Sequence, residues 1–563
     1  MLQSLTFVLS GQAGQGLATI EKLLSQAIKN DYYVFSTQEV MSRVRGGNNT
    51  VEIRVSSQPV DAYKHTIDML FLLNDHSFYR LHDRINEDTV IFGERAFIDE
   101  DVLEKAGSRF SELKLNDLAS EAGSVLYSNT VLFGFISGLL DLDTKAGEAP
   151  IRKKFQSKSE KIIESNINAF HKGYQLGKAY ERKISIEKTD IIRDHRIISG
   201  TEAIGIGALA GGVNYIASYP MSPGTGILQY LAQKGNDFDV IVEQAEDEIA
   251  AINMSIGAWY AGARSLVTTS GGGFALMEEG VSLAGITESP SVIHIAQRPG
   301  PGTGLPTRTE QADLNLVVYS GHGEFPRIVL APGSVEDGVL LTQKAFYLAD
   351  KYQVPVFVLT DQYYVDSNFS IPPLELSEKY LESFIVETTP DYLRYKVTDN
   401  GLSPRGIPGF GQGLVKVDSD EHDERGSITE DFNVRVTMND KRLSKEDRIL
   451  EEYIEPELIG PKDYKKLIIS WGSTYGVLKE AVQSTDQKDL AYLHIKEVFP
   501  LHTMIRDYID QADSVAIFEI NATSQLANLI KLHLDRDIQN RIVKYNGTPF
   551  SIEEIDAKIK EVF

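Results

Sequence analysis

The chain has no cysteine among its 563 residues. That excludes a disulfide framework, a thiolate nucleophile and any cysteine-ligated iron–sulfur cluster held by this chain itself. If its chemistry sends electrons through such a cluster, another polypeptide carries it. No apolar run approaches the ~20 residues that span a bilayer, so no membrane association is expected. The opening, MLQSLTFVLSGQAGQG, has no basic segment before its apolar run and passes straight into a glycine loop, unlike a secretory leader. A cytoplasmic protein is expected. Positive charge is also short, with 56 Lys and Arg against 80 Asp and Glu, a net charge of −24. Such a surface repels nucleic-acid phosphates and otherwise serves solvation.

What is present reads as repeated α/β units, roughly three to four domains by length. Residues 4–10, SLTFVLS, form a buried-strand pattern. GQAGQG follows, with Gly11, Gly14 and Gly16, and then an apolar-periodic helix from Leu17. Strand, glycine turn and helix begin a doubly wound domain, and backbone N–H groups at such a turn suit phosphate. The spacing is G-x-x-G-x-G rather than G-x-G-x-x-G, so a plain tight turn is an equal reading. SRVRGG places Arg43 and Arg45 nearby, either facing an anion such as CoA or simply solvated.

Residues 152–190 are polar and helical in composition, and a boundary is expected near 185–195. Strands and helices then alternate through VPVFVLTD, which implies a parallel sheet covered on both faces. Residues 395–460, rich in Gly, Pro and charge, read as an irregular connection. KKLIISWGS restarts the alternation. The expected division is therefore 1–185, 195–394, 395–460 and 461–563.

The chemistry concentrates in 219–327. VEQAEDEIAA opens a helix whose acidic first turn favours the helix dipole. That purpose accounts for Glu246 and Asp247. Glu248 stands apart, because E-I-A-A followed by GAWYAGAR resembles the pyrimidine-side helix of thiamine diphosphate enzymes. In order along the chain come YPMSPGTG, TTSGGG, RPGPGTGLPTRTEQADL and GHGEFPR. Together these resemble the alpha subunit of 2-oxoacid:ferredoxin oxidoreductases. The GQAGQG domain resembles their gamma domain, here fused ahead of alpha, and the KKLIISWGS region resembles their transketolase-C-like domain.

The resemblance implies a fold of several doubly wound α/β domains, including a thiamine diphosphate pyrimidine-binding fold. It implies that Glu248 hydrogen-bonds the aminopyrimidine, a task that needs a carboxyl with a raised pKa. Tyr219, Pro220, Thr269, Ser270 and Gly271 fall on the cofactor side. Ser222 stands where the family usually has threonine, facing the keto acid. Arg308 matches the position that binds a substrate carboxylate, and Arg298 competes with it. His322 reads as a loop histidine with structural bonds, with proton carriage as the alternative.

Thiamine diphosphate enzymes hold the diphosphate and Mg²⁺ through a GDG…N motif, and no GDG occurs here. The resemblance thus implies a beta subunit that holds Mg²⁺ and the [4Fe-4S] cluster and shares the thiamine diphosphate. It further implies CoA as co-substrate, ferredoxin as electron partner and a dimer of alpha–beta pairs. The implied reaction is CoA-dependent oxidative decarboxylation of a 2-oxoacid, with 2-oxoglutarate to succinyl-CoA favoured, or its reverse. Pyruvate or branched-chain 2-oxoacids, a non-oxidative thiamine enzyme, and a non-catalytic anion-binding scaffold stay open.

Overall fold

The computed structural model describes residues 4–41, 47–181 and 186–563. They divide into two compact units. One takes the residues up to Ile198 with Ser367–Pro373 and Ser551–Glu554; the other takes Ser199–Asp366, Leu374–Phe550 and Ile555–Phe563. No single helix among the described residues is long and apolar enough to cross a membrane.

The first unit contains β1 (Ser4–Gln12), β2 (Tyr33–Glu39), β3 (Asn48–Ser56), β4 (Met69–Leu72), β5 (Val90–Gly93), β6 (Phe110–Glu112), β7 (Arg196–Ser199) and β14 (Asn368–Ile371). They form one sheet in the order β6-β5-β4-β1-β3-β2-β14-β7. β1, β4, β5 and β6 are parallel, but β3 is antiparallel to both β1 and β2. The parallel, doubly wound character expected from the opening strand and glycine turn therefore holds for half the sheet. Residues 40–47 are too short for the crossover of a dozen or more that a parallel β2–β3 pair would need. The polar stretch 152–190 hides an apolar helix face, with Ile163, Ile167, Phe170 and Tyr174 buried on Glu160–Ala179. That helix packs closely on Ser128–Leu139. A Cβ at Gly173 would lie 2.0 Å from the Val131 carbonyl oxygen, so glycine sets the approach.

The second unit holds two sheets. β8 (Tyr215–Ser218), β9 (Ile241–Gln244), β10 (Ser265–Thr269), β11 (Ser291–Gln297), β12 (Ile328–Leu330), β13 (Pro355–Asp361) and β18 (Glu497–Phe499) form the order β18-β12-β13-β11-β10-β8-β9. All are parallel except β18 at the edge. β15 (Glu457–Ile459), β16 (Lys466–Trp471), β17 (Leu490–Ile495), β19 (Ser514–Glu519) and β20 (Asn540–Val543) form the order β15-β17-β16-β19-β20. One apolar core, from Val267 and Ile293 to Leu467 and Ile517, joins the two sheets.

The stretch read as an irregular connection contains two helices, Phe432–Leu443 and Lys445–Glu451. Buried charge anchors it alongside a few buried apolar side chains, Tyr395, Met438 and Ile449 among them. The Glu288 carboxylate accepts from Lys441 Nζ at 2.6 Å and pairs with Lys445 Nζ at 2.6 Å, all three side chains being about 1% exposed. Burial alone would raise the Glu288 carboxyl, but Lys445, Lys441 and Arg394 outweigh it and hold it well below the usual carboxylate range. Arg405 likewise donates to Asp350 Oδ1 at 2.6 Å. Lys441→Met removes one of the two lysines that bond the Glu288 carboxylate, while Lys445 still holds it. It is expected to lower stability by about 1.5–3 kcal/mol in denaturant titration.

Candidate active site

The strand order of the seven-stranded sheet reverses between β8 and β10: β9 follows β8 on one side, and β10 starts again on the other. Ligands of open parallel sheets sit outside the carboxyl ends of strands at such a switch point. Here the carboxyl ends of β8 and β10 carry Tyr219–Ser222 and the Thr269–Gly273 turn. Ser218 Oγ, in β8, accepts from the Thr268 N–H of β10 at 2.9 Å. Gly224 presses on the end of β10, since a Cβ there would be 2.7 Å from the Thr269 carbonyl oxygen.

Glu248 is the first residue of the helix Glu248–Tyr260, which Asp247 caps by accepting from the Ala250 N–H at 2.7 Å. Glu248 is 3% exposed. Its Oε1 is buried and lacks a hydrogen-bond partner, as does Ser270 Oγ. Burial pushes its carboxyl pKa up, its own backbone N–H opposes this, and the Asp247 charge adds to the rise. The glycine turn explains itself against this carboxyl. A Cβ at Gly273 would lie 2.3 Å from Thr269 Oγ1 and 2.5 Å from Glu248 Oε1.

The other end of the same turn meets a second acid, which sequence reading passed over. A Cβ at Gly271 would lie 2.2 Å from Asp313 Oδ2, and that oxygen too is buried without a partner. Burial, then the charge of Glu310, push the Asp313 carboxyl up to about 7, against the pull of Arg298. Arg298, one residue past β11 and 8% exposed, donates from Nη1 to the Ser222 carbonyl oxygen at 2.6 Å. The structure thus brings Ser222, Arg298, the glycine turn and Glu248 together at the carboxyl end of one sheet.

Arg308 lies half-buried on the loop that follows, where a Cβ at Gly547 would be 3.2 Å from its Cβ. This loop is fastened to the carboxyl ends of the five-stranded sheet. The Gln311 N–H donates to the Ile520 carbonyl oxygen at 2.6 Å, and Gln311 Nε2 to that of Trp471 at 3.0 Å. Gln311 Oε1 accepts from the Ile520 N–H at 3.1 Å, and the Thr309 N–H donates to the Gly547 carbonyl oxygen at 3.2 Å. Where a parallel sheet usually meets a ligand, this one grips the arginine loop. His322 is exposed, with its N–H donated to Ser282 Oγ at 2.8 Å.

In the first unit, Gly11 is the penultimate residue of β1, while Gly14 and Gly16 take left-handed φ of 94° and 78°. The N–H groups of the GQAGQG loop are partly spent internally. Gln12 donates to Gln15 Oε1 at 2.6 Å, Ala13 to the Gly47 carbonyl oxygen at 3.0 Å and Gln15 to that of Gln12 at 3.0 Å. Beside Gly14 and Gln15 lies a cavity of about 330 Å³ whose walls include Leu73, Phe97, Asn116 and Asn129. Arg43 and Arg45 lie outside the described residues.

Residues 206–441 match the thiamine diphosphate-binding domain family of pyruvate flavodoxin/ferredoxin oxidoreductases, and residues 6–176 match the pyruvate ferredoxin/flavodoxin oxidoreductase family. The chain is 31% identical over 500 residues to 2-oxoacid:ferredoxin oxidoreductase 2, subunit alpha, of Aeropyrum pernix, over 82% of this chain and 77% of that one. The chain belongs to the 2-oxoacid:ferredoxin oxidoreductase alpha-subunit family. It is also 29% identical to the family's alpha subunit from a Sulfolobus species, over 99% of this chain and 97% of that one. A solved 2-oxoglutarate:ferredoxin oxidoreductase from Magnetococcus marinus, with 2-oxoglutarate, coenzyme A and succinyl-CoA bound, superposes over 100% of both chains. Its TM-score is 0.92 at 28% identity. The oxidoreductase function and the α/β fold with a thiamine diphosphate-binding domain, both expected from the motifs, are thereby borne out for this alpha subunit.

Proposed function

We propose that residues 219–327 form the pyrimidine and keto-acid half of the active site, and that the enzyme converts 2-oxoglutarate and CoA to succinyl-CoA and CO₂ or runs the reverse. The observation that carries this is the buried Glu248 carboxyl, unpartnered at Oε1, against Gly273, where a Cβ would crowd it. That arrangement suits a pyrimidine ring, which offers polar nitrogens to a proton-sharing acid. When bound, thiamine diphosphate supplies the carbon nucleophile and the electron sink for decarboxylation.

This chain's residues bind and orient around it. Glu248 holds and returns a proton at the pyrimidine. Tyr219, Pro220, Thr269, Ser270 and Gly271 wall the cofactor side. Ser222 offers its hydroxyl to the keto acid. Arg308 provides a forked donor for a carboxylate, and Arg298 steadies the Ser222 loop through the carbonyl it already holds. Gly11, Gly14 and Gly16 of the GQAGQG loop, with Arg43 and Arg45, are assigned to binding part of CoA. Domain roles follow as gamma-type for 1–185, pyrimidine-binding for 195–394, connecting for 395–460 and transketolase-C-like for 461–563.

A chain without cysteine or GDG supports a beta subunit as holder of Mg²⁺ and [4Fe-4S]; membership of the family supports ferredoxin as acceptor and a dimer of alpha–beta pairs, which we assign to the cytoplasm. The purified complex is expected to show iron–sulfur absorbance and to reduce viologen with 2-oxoglutarate only when CoA is present. Faster turnover of pyruvate or a branched-chain 2-oxoacid would reassign the substrate. Failure with every 2-oxoacid would sink the reading.

A further inference from the structure

The glycine turn between β10 and the following helix is held between two acids, and only Glu248 has a role in the reading above. We propose that Asp313 is a proton-holding residue of the keto-acid half: when an anionic 2-oxoacid occupies the site, Asp313 carries a proton and stands neutral beside it. This rests on 219–327 being the 2-oxoacid site.

Three features place Asp313 there. Its carboxyl lies against Gly271, so close that a Cβ would come within 2.2 Å of Oδ2. Its backbone N–H donates to Gln297 Oε1 at 2.9 Å, which fixes it at the carboxyl end of β11. Oδ2 is sealed from solvent with no partner, an arrangement far costlier for a carboxylate than for a carboxylic acid. The charged groups that act on it are Arg298 from the end of β11 and Glu310 from its own loop. The glycine turn adds no charge until Glu248 at its far end, and the helix Leu314–Val318 that follows carries none. Gln311, Asn315 and Gln525, on the side of the five-stranded sheet, are neutral.

One cation thus faces one neighbouring acid before any ligand enters. A bound carboxylate adds negative charge to that balance and favours the protonated form of Asp313. Binding therefore takes up a proton whenever the free carboxyl is ionised. With the free group titrating at about 7, affinity is flat below that pH. Above it, affinity falls by about tenfold per pH unit.

The test is the KM for 2-oxoglutarate of the assembled enzyme, with CoA and viologen saturating, from pH 6.5 to 9. The wild type is expected to show a KM about tenfold higher at pH 8.5 than at pH 7.5. Asp313→Asn keeps the size and cannot ionise, so its KM should change less than about twofold over that interval. Loss of the Glu248 proton acts on kcat, so the split between KM and kcat separates the two acids. A flat wild-type KM overturns the proposal without any variant. An Asp313→Asn enzyme whose KM climbs like the wild type's overturns it as well. An enzyme that turns over no 2-oxoacid at all refutes the site reading instead.

Discussion

Glu248→Gln is expected to give a folded enzyme that still assembles and turns over its 2-oxoacid on the order of 100- to 10,000-fold more slowly. The size of the effect follows from how the carboxyl is held. A helix N-terminus ordinarily favours an ionised acid. Glu248 is the first helical residue, yet burial prevails and its pKa is raised. A buried acid whose pKa is raised in this way can give and take a proton, which an amide cannot. Glutamine matches the shape, so the contact with Gly273 and the cap from Asp247 survive. The loss should appear in kcat, with melting temperature and subunit assembly unchanged. Turnover within a few-fold of wild type would remove Glu248 from the chemistry.

Glu248 was legible because its helix announces itself locally: an acid opens it, and small residues follow at the spacing of close packing. The strands on either side were legible for the same reason, since period and turn residues are local properties. Asp313 was not. In TEQADL it looks like any acid in a polar loop, and only the fold shows that its oxygen is sealed against Gly271. The helix Phe432–Leu443 escaped notice from the opposite cause. Its buried residues are Met438, Lys441 and Arg442, so it has no apolar stripe to find. It is held by Glu288, far away in sequence, and by Glu421 from the loop just before it. The antiparallel half of the first sheet was hidden because residue patterns report a strand but not its direction. The glycines of TTSGGG were read as a turn, but their spacing could not say which of them the site needs.

The structure ranks those glycines, and the ranking separates packing from chemistry. A Cβ at Gly272 would come no closer than 3.4 Å to anything, the carbonyl oxygen of Gly302, which is ordinary contact. A Cβ at Gly273 would be 2.5 Å from Glu248 Oε1 and 2.9 Å from its Cγ. What must yield is side chain rather than backbone, the Thr269 hydroxyl at 2.3 Å and the Glu248 carboxyl, so the fold bears the change and the carboxyl is displaced. Displacing a catalytic group by an ångström costs on the order of 100-fold. Gly273→Ala is therefore expected to lose about that much in kcat while Gly272→Ala stays within a few-fold of wild type. Because Gly273 acts through Glu248, the two losses should not add. The double variant Gly273→Ala, Glu248→Gln should be about as slow as Glu248→Gln alone. Multiplication of the two losses would mean that the turn contributes to catalysis independently of Glu248. Equal activity of the two alanine variants would mean that the carboxyl has room the packed turn does not show.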